Sequence, residues 1–117
     1  EHTRRIMGHE VKLRDYGAQD IRGGLVGVAA GGGTYPFVAN ELVSLGVNLF
    51  LTGLTRPIPT FEPTLEFHRI AKQNGIGVIG ATHYSTEQFA CRAMIRYFEE
   101  RGLPAEFLEG TPCLNDL

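Results

Sequence analysis

The chain has little cysteine: Cys91 and Cys113 are its only two, and no C-x-x-C spacing joins them. Neither a disulfide framework nor a cysteine zinc site follows from them, and a reduced, cytoplasmic setting is the expectation. Long apolar runs are also missing, because glycine interrupts the most hydrophobic stretches every few residues, so a membrane span is excluded. Charge of one sign is not in excess either. The formal net charge is −2, and the basic cluster Arg4, Arg5, Lys12 and Arg14 is diluted by Glu1, Glu10 and Asp15, so no nucleic-acid partner is expected. The opening residues lack the apolar core of a signal peptide, and no internal repeat or low-complexity segment is obvious. A start at Glu1 rather than Met leads to the expectation of a processed or truncated product.

What is present suits one small globular domain: 117 residues, 43% hydrophobic and 21% charged. Residues 1–24 carry little periodicity and several glycines, and read as a loop-rich lead-in with a short element around Glu10 to Arg14. Residues 25–112 read as an α/β domain, and residues 113–117 as a tail. Leu25 to Ala30 is a continuous apolar run, as expected of a strand covered on both faces. Pro36 opens a helix through about Leu45, with Phe37, Val38, Leu42 and Leu45 as its inward stripe and Gly46 as its stop. Asn48 to Thr52 is a second strand, and the prolines between Thr55 and Pro63 exclude regular structure there. A helix from Pro63 or Thr64 runs to Gln73, where Asn74-Gly75 ends it. A third strand, Ile76 to Ile79, is followed by a helix from Gln88 to Arg101, and Ala105 to Leu108 is predicted as a final short strand. This alternation predicts a small, mainly parallel sheet.

Such a sheet brings three loops to one edge: Gly31 to Tyr35, Gly53 to Glu62, and Gly80 to Glu87. In the last, His83 and Glu87 stand four residues apart where a strand meets a helix, a place that can hold a metal ion. The same residues also fit a plain helix start, with Glu87 as a first-turn carboxylate and Ser85 and Gln88 at capping-box spacing. Two ligands do not close a zinc-like site. Gly31, Gly32, Gly33 and Thr34 could cradle a phosphate before a helix, or simply make a tight turn. They form no dinucleotide fingerprint, since Pro36 holds the third glycine position, and no P-loop lysine follows. His68 reads as a structural histidine beside Phe67 and Ile70, His2 and His9 as exposed, and Cys91 as a core thiol. Nothing resembles a Ser-His-Asp or Cys-His triad.

The order of an apolar strand ending in Gly31-Gly32-Gly33, then Asn48 to Gly53, then Ala81-Thr82-His83-Tyr84-Ser85-Thr86-Glu87 resembles the C-terminal half of the Ngg-interacting-factor-three-like family. That family is also filed as the GTP cyclohydrolase I type 2 family. The resemblance spans roughly residues 25 to 112 and implies one half of a two-lobed α/β protein. It implies that His83 and Glu87 are ligands in a two-metal centre whose other ligands, an adjacent His pair and an Asp, come from the N-terminal half. No adjacent His pair occurs in this chain. It further implies two divalent ions per full-length subunit, with zinc, iron or manganese as candidates, and a ring-like homo-hexamer.

The activity implied is metal-dependent hydrolysis of a phosphate- or nucleotide-type small molecule, with a non-catalytic metal-binding oligomeric assembly or regulatory module as the alternative. For this chain by itself, no catalysis is the expectation. The sequence departs from its relatives after Gly53, where they commonly carry an acidic residue and then histidines. Here Leu54 to Glu62 is proline-rich, and its stiffness suits a cover over the site or a contact with a neighbouring subunit.

Overall fold

Three short apolar runs form parallel strands in the computed structural model, which describes residues 1–17 and 20–117. They are β2 (Gly27–Ala29), β3 (Leu49–Thr52) and β4 (Gly77–Gly80). A fourth strand, β1 (Lys12–Arg14), pairs antiparallel with β4, so the sheet order is β1-β4-β3-β2. The lead-in thus supplies an edge of the sheet, and it also holds a helix, α1 (His2–Met7), closed by Gly8. Residues 18 and 19 of that lead-in lie outside the described residues.

Two helices cover one face of the sheet. Helices α2 (Pro36–Ser44) and α3 (Glu62–Gln73) each carry proline in the first turn, where no intrahelical N–H bond is lost. Each ends at a glycine of positive φ, Gly46 and Gly75. Beyond those glycines the amides of Val47 and Ile76 return to the carbonyls of Leu42 and Ala71, both at 2.9 Å, which satisfies the last helical turn. Beneath the helices, the rings of Phe50 and Phe67 meet at 5.8 Å among Ala39, Leu42, Ile76 and Val78. Fully burying each ring contributes about 1.5–3 kcal/mol.

The opposite face is partly exposed. Strand register aligns Leu13 with Ile79, Ile79 with Leu51, and Leu51 with Val28, which makes one aliphatic row across the sheet. Its two ends are exposed, Leu13 by 57% and Val28 by 70%. The expectation that Leu25 to Ala30 is covered on both faces therefore fails, because this strand is an edge with a helix on one side alone. In α2 the inward residues are Ala39 and Leu42, with Val38 partly buried, while Phe37 and Leu45 face outward. Ala39 is fully buried where α2 meets α3, and its small side chain suits that close contact.

The last helix, α4 (His83–Glu99), begins five residues before the expected Gln88. Its N-cap is Thr82, whose Oγ1 accepts the Ser85 amide at 3.3 Å, so the Ser85–Gln88 capping box does not form. Ser85 is its only buried residue, and Phe89, Met94 and Tyr97 are about half exposed. Cys91 is exposed rather than a core thiol, on a helix whose buried residue is Ser85 near its start. Ala105 to Leu108 is not a strand: the sheet order β1-β4-β3-β2 does not include it. That segment runs back along α4 instead. Arg92 stacks over Phe107 at 4.3 Å and pairs with Glu109 at 2.6 Å, while Tyr84 accepts the Gly110 amide at 3.0 Å. No helix among the described residues is long and apolar enough to cross a membrane.

Candidate metal centre

Parallel strands deliver their following loops to one edge, and hydrogen bonds knit those loops together here. The Gly31 carbonyl accepts the amides of Gly53 at 3.0 Å and Leu54 at 2.9 Å, while the Gly31 amide donates to Thr86 Oγ1 at 2.8 Å. One glycine therefore ties the β2–α2 loop to both the β3–α3 loop and the start of α4.

On that start, His83 is the first helical residue and Glu87 lies one turn on. Their side chains converge, with His83 Nε2 and Glu87 Oε1 at 3.2 Å, and each is about half exposed, at 51% and 50%. Two donors bound about 2.0–2.2 Å from one ion at tetrahedral or octahedral angles lie about 3.0–3.4 Å apart. The observed spacing fits a shared cation. It also fits a helical i,i+4 pair, which at such exposure contributes about 0.3–0.5 kcal/mol.

The backbone around the pair argues for more than a surface contact. Gly31 holds φ +67°, and a Cβ there would strike both Glu87 Oε1 and His83 Nε2. Gly53 is equally constrained, since its Cβ would come within 2.7 Å of the Thr82 carbonyl oxygen and of His83 Cα. Gly31 thus leaves open the space that the imidazole and the carboxylate face, while Gly53 admits the close approach of the backbone at the helix start. Thr82 is the single non-glycine residue with positive φ among the described residues, at φ 61°, ψ 147°. Such a conformation costs about 1–3 kcal/mol and persists where surroundings enforce it. Here Thr82 Oγ1 donates to Ser85 Oγ at 2.9 Å, and its carbonyl accepts Thr86 Oγ1 at 3.1 Å.

Two further residues reach this helix start from distant parts of the chain. His9 is partly buried rather than exposed: its Nε2 meets Ser85 Oγ at 2.7 Å while Nδ1 meets the Glu10 carbonyl at 2.6 Å. Because the carbonyl can only accept, Nδ1 carries the proton and Ser85 donates to Nε2. Asp116, in the short 3-10 turn Leu114–Asp116, accepts the His83 amide on Oδ2 at 2.9 Å. Its carbonyl accepts the amides of Thr55 at 2.8 Å and Arg56 at 2.9 Å. Neither contact has a signature in the sequence, since partners so far apart carry no periodicity.

The glycine loop is built inward. The Gly33 amide donates to Thr52 Oγ1 at 3.0 Å, that hydroxyl donates on to the Gly31 carbonyl at 3.3 Å, and Thr34 is buried. With Gly31 bound to Thr86 as well, the amides of Gly31 and Gly33 serve the loop's own closure. Gly32 lies farther from the His83 ring than Gly31, with room for ordinary van der Waals contact to Cε1.

His68 stands apart from this edge. It is buried, with Nδ1 at 3.0 Å from the Tyr16 hydroxyl, and burial, reinforced by the nearby Arg14 charge, lowers its pKa to about 4. A structural role suits it. Among the described residues no group of three or more His, Cys, Asp or Glu gathers as a metal cage, so His83 and Glu87 form the donor pair available.

No family model matches the chain. It is 36% identical over 83 residues to the GTP cyclohydrolase 1 type 2 homolog of Archaeoglobus fulgidus, covering 70% of this chain and 31% of that protein. To the protein of the same description from Pyrococcus horikoshii it is 30% identical over 106 residues, covering 90% of this chain and 37% of that one. The chain spans about a third of the length of these curated relatives. Among solved structures, protein ybgI, of unknown function, superposes with a TM-score of 0.72 at 21% identity, covering 95% of this chain and 41% of that chain. A Bacillus cereus protein related to NIF3 gives 0.58 at 18% identity, covering 97% and 30%. These likenesses establish the α/β fold as one part of a larger, two-lobed architecture.

Proposed function

We infer, from the premise that this chain matches the Ngg-interacting-factor-three-like family over about a third of its relatives' length, that it contributes two ligands to a divalent-metal centre. His83 Nε2 and Glu87 Oε1 are those ligands, and the full-length protein is a metal-dependent hydrolase acting on a phosphate- or nucleotide-type small molecule. The observation that carries this reading is the convergence of the pair at 3.2 Å over a glycine whose Cβ would fill the space between them. The mixed nitrogen and oxygen donor set suits zinc, iron or manganese. When bound, two such ions would activate water and polarise a phosphoryl group.

The chain's own residues do the positioning. Thr82 and Ser85 fix the first turn of α4, so the imidazole and the carboxylate point the same way. Thr86 and Gly53 hold Gly31 against them. Two donors leave coordination positions open, and the remaining ligands come from elsewhere in the full-length protein. Elemental analysis of that protein, with a phosphatase and nucleotide-hydrolysis panel, tests the assignment. The expected result is bound metal and hydrolysis that His83→Ala abolishes with the fold intact; unchanged hydrolysis in the variant removes the hydrolase reading.

A second reading rests on the partly exposed sheet face. The row Leu13, Ile79, Leu51 and Val28 leaves aliphatic surface at its ends, and such patches mark interfaces. On this reading the protein is a homo-oligomeric, metal-binding assembly or regulatory module without catalysis, a ring-like hexamer being the arrangement the family resemblance implies. Metal bound without any hydrolysis in the panel separates it from the first.

A further inference from the structure

Asp116 lies 33 residues from His83 in the chain, yet it makes three short hydrogen bonds at the candidate centre. Its carboxylate takes the backbone N–H of His83 at 2.9 Å, and its carbonyl takes the consecutive amides of Thr55 and Arg56 at 2.8 and 2.9 Å. No other described residue bridges the β3–α3 loop to the first residue of α4 in this way among the hydrogen bonds given above. The carboxylate also meets the helix where its field is positive, which favours a negative partner. Thr82, immediately before His83, sits in a strained conformation that its own neighbours must enforce.

We propose that Asp116 is a positioning residue for the metal centre: its carboxylate fixes the backbone of His83, while its carbonyl anchors the proline-rich loop beside it. This rests on the reading of His83 and Glu87 as metal ligands. Asp116 is not a ligand in this account. It acts through His83, by holding the helix start in the one orientation that turns Nε2 toward Glu87. The residues between Cys113 and the chain's last position, which look like a tail in the sequence, are therefore part of the site's frame.

The test is equilibrium binding of Mn2+ to the full-length protein and to two variants, at a temperature where all three are folded. Asp116→Ala removes the carboxylate but keeps the backbone contacts, and Asp116→Asn keeps an acceptor oxygen for the His83 amide. The expected result is binding about 10–100-fold weaker in Asp116→Ala, the size of effect typical when a ligand loses its orienting partner, with most of it restored in Asp116→Asn. Hydrogen exchange at the His83 amide should speed up in the alanine variant and remain slow in the asparagine one, with or without metal. A residue that merely stabilised the fold would change the melting temperature and leave the Mn2+ affinity of folded protein alone. Equal affinity in the wild type and Asp116→Ala overturns the inference while leaving the metal reading in place. A wild type that takes up no Mn2+, and that loses none on His83→Ala, overturns the metal reading and the inference with it.

Discussion

Gly31 is the residue on which the geometry of the site turns. It adopts φ +67°, a left-handed conformation that costs any other L-residue about 1–2 kcal/mol, and its missing Cβ is what lets the backbone lie against both His83 and Glu87. Gly31→Ala is therefore expected to lower stability by about 2 kcal/mol and to weaken metal binding well beyond that, by splaying the donor pair. Denaturant unfolding and metal titration of the same variant check the two effects separately; an alanine variant that keeps full affinity would show that the glycine serves the turn alone. Thr82 makes the converse case. A threonine tolerates its unusual conformation there because Ser85 and Thr86 bond to both its hydroxyl and its carbonyl.

Among the elements, the buried face of α3 carries the clearest solution signature. Folded His68 stays neutral down to about pH 4, whereas in the unfolded chain it takes a proton near its ordinary 6.5. Between those values the unfolded state binds more protons, so stability rises with pH across the window and falls as the pH drops from about 6.5 toward 4, with no further loss from this group below that. The expected loss is on the order of 3 kcal/mol, and urea midpoints measured across the window should flatten in His68→Gln. A midpoint equally pH-dependent in the variant would assign the effect to other groups.

The strands β2, β3 and β4 were legible in the sequence because each is an apolar run beside a glycine, and α2 and α3 because proline opens them and glycine closes them. Strand β1 was not. Lys-Leu-Arg has one apolar residue, and its partner β4 lies far along the chain. The start of α4 is hidden in the sequence because His83, Tyr84 and Ser85 look like loop residues, whereas Thr82 caps the helix before them. The His83–Glu87 pair itself was readable from spacing. Its supports, His9 and Asp116, were not, since they act by single long-range hydrogen bonds without any repeating pattern.

At the scale of the whole molecule, the chain is elongated, 50 × 33 × 27 Å, with α4 standing clear of the two-helix layer and one face of the sheet partly exposed. The apolar residues exposed at its two edges, Leu13 and Val28, suit the oligomeric reading proposed above. If they meet a second copy of the same protein, Val28→Glu should lower the assembly mass in sedimentation. The fold of the single subunit should persist, because Val28 is 70% exposed within it. An unchanged mass would place the interface elsewhere. The exposed groove between Cys91, Met94 and Phe98 on α4 and the returning segment at Ala105 and Leu108 is a separate surface, untouched by that substitution.

The central claim is that the imidazole of His83 and the carboxylate of Glu87 bind one cation together. Anomalous diffraction from crystals of the full-length protein grown with Mn2+ tests it most directly. A metal peak is expected within about 2.0–2.3 Å of both His83 Nε2 and Glu87 Oε1. Manganese found elsewhere, with those two side chains still bonded only to each other, would contradict it.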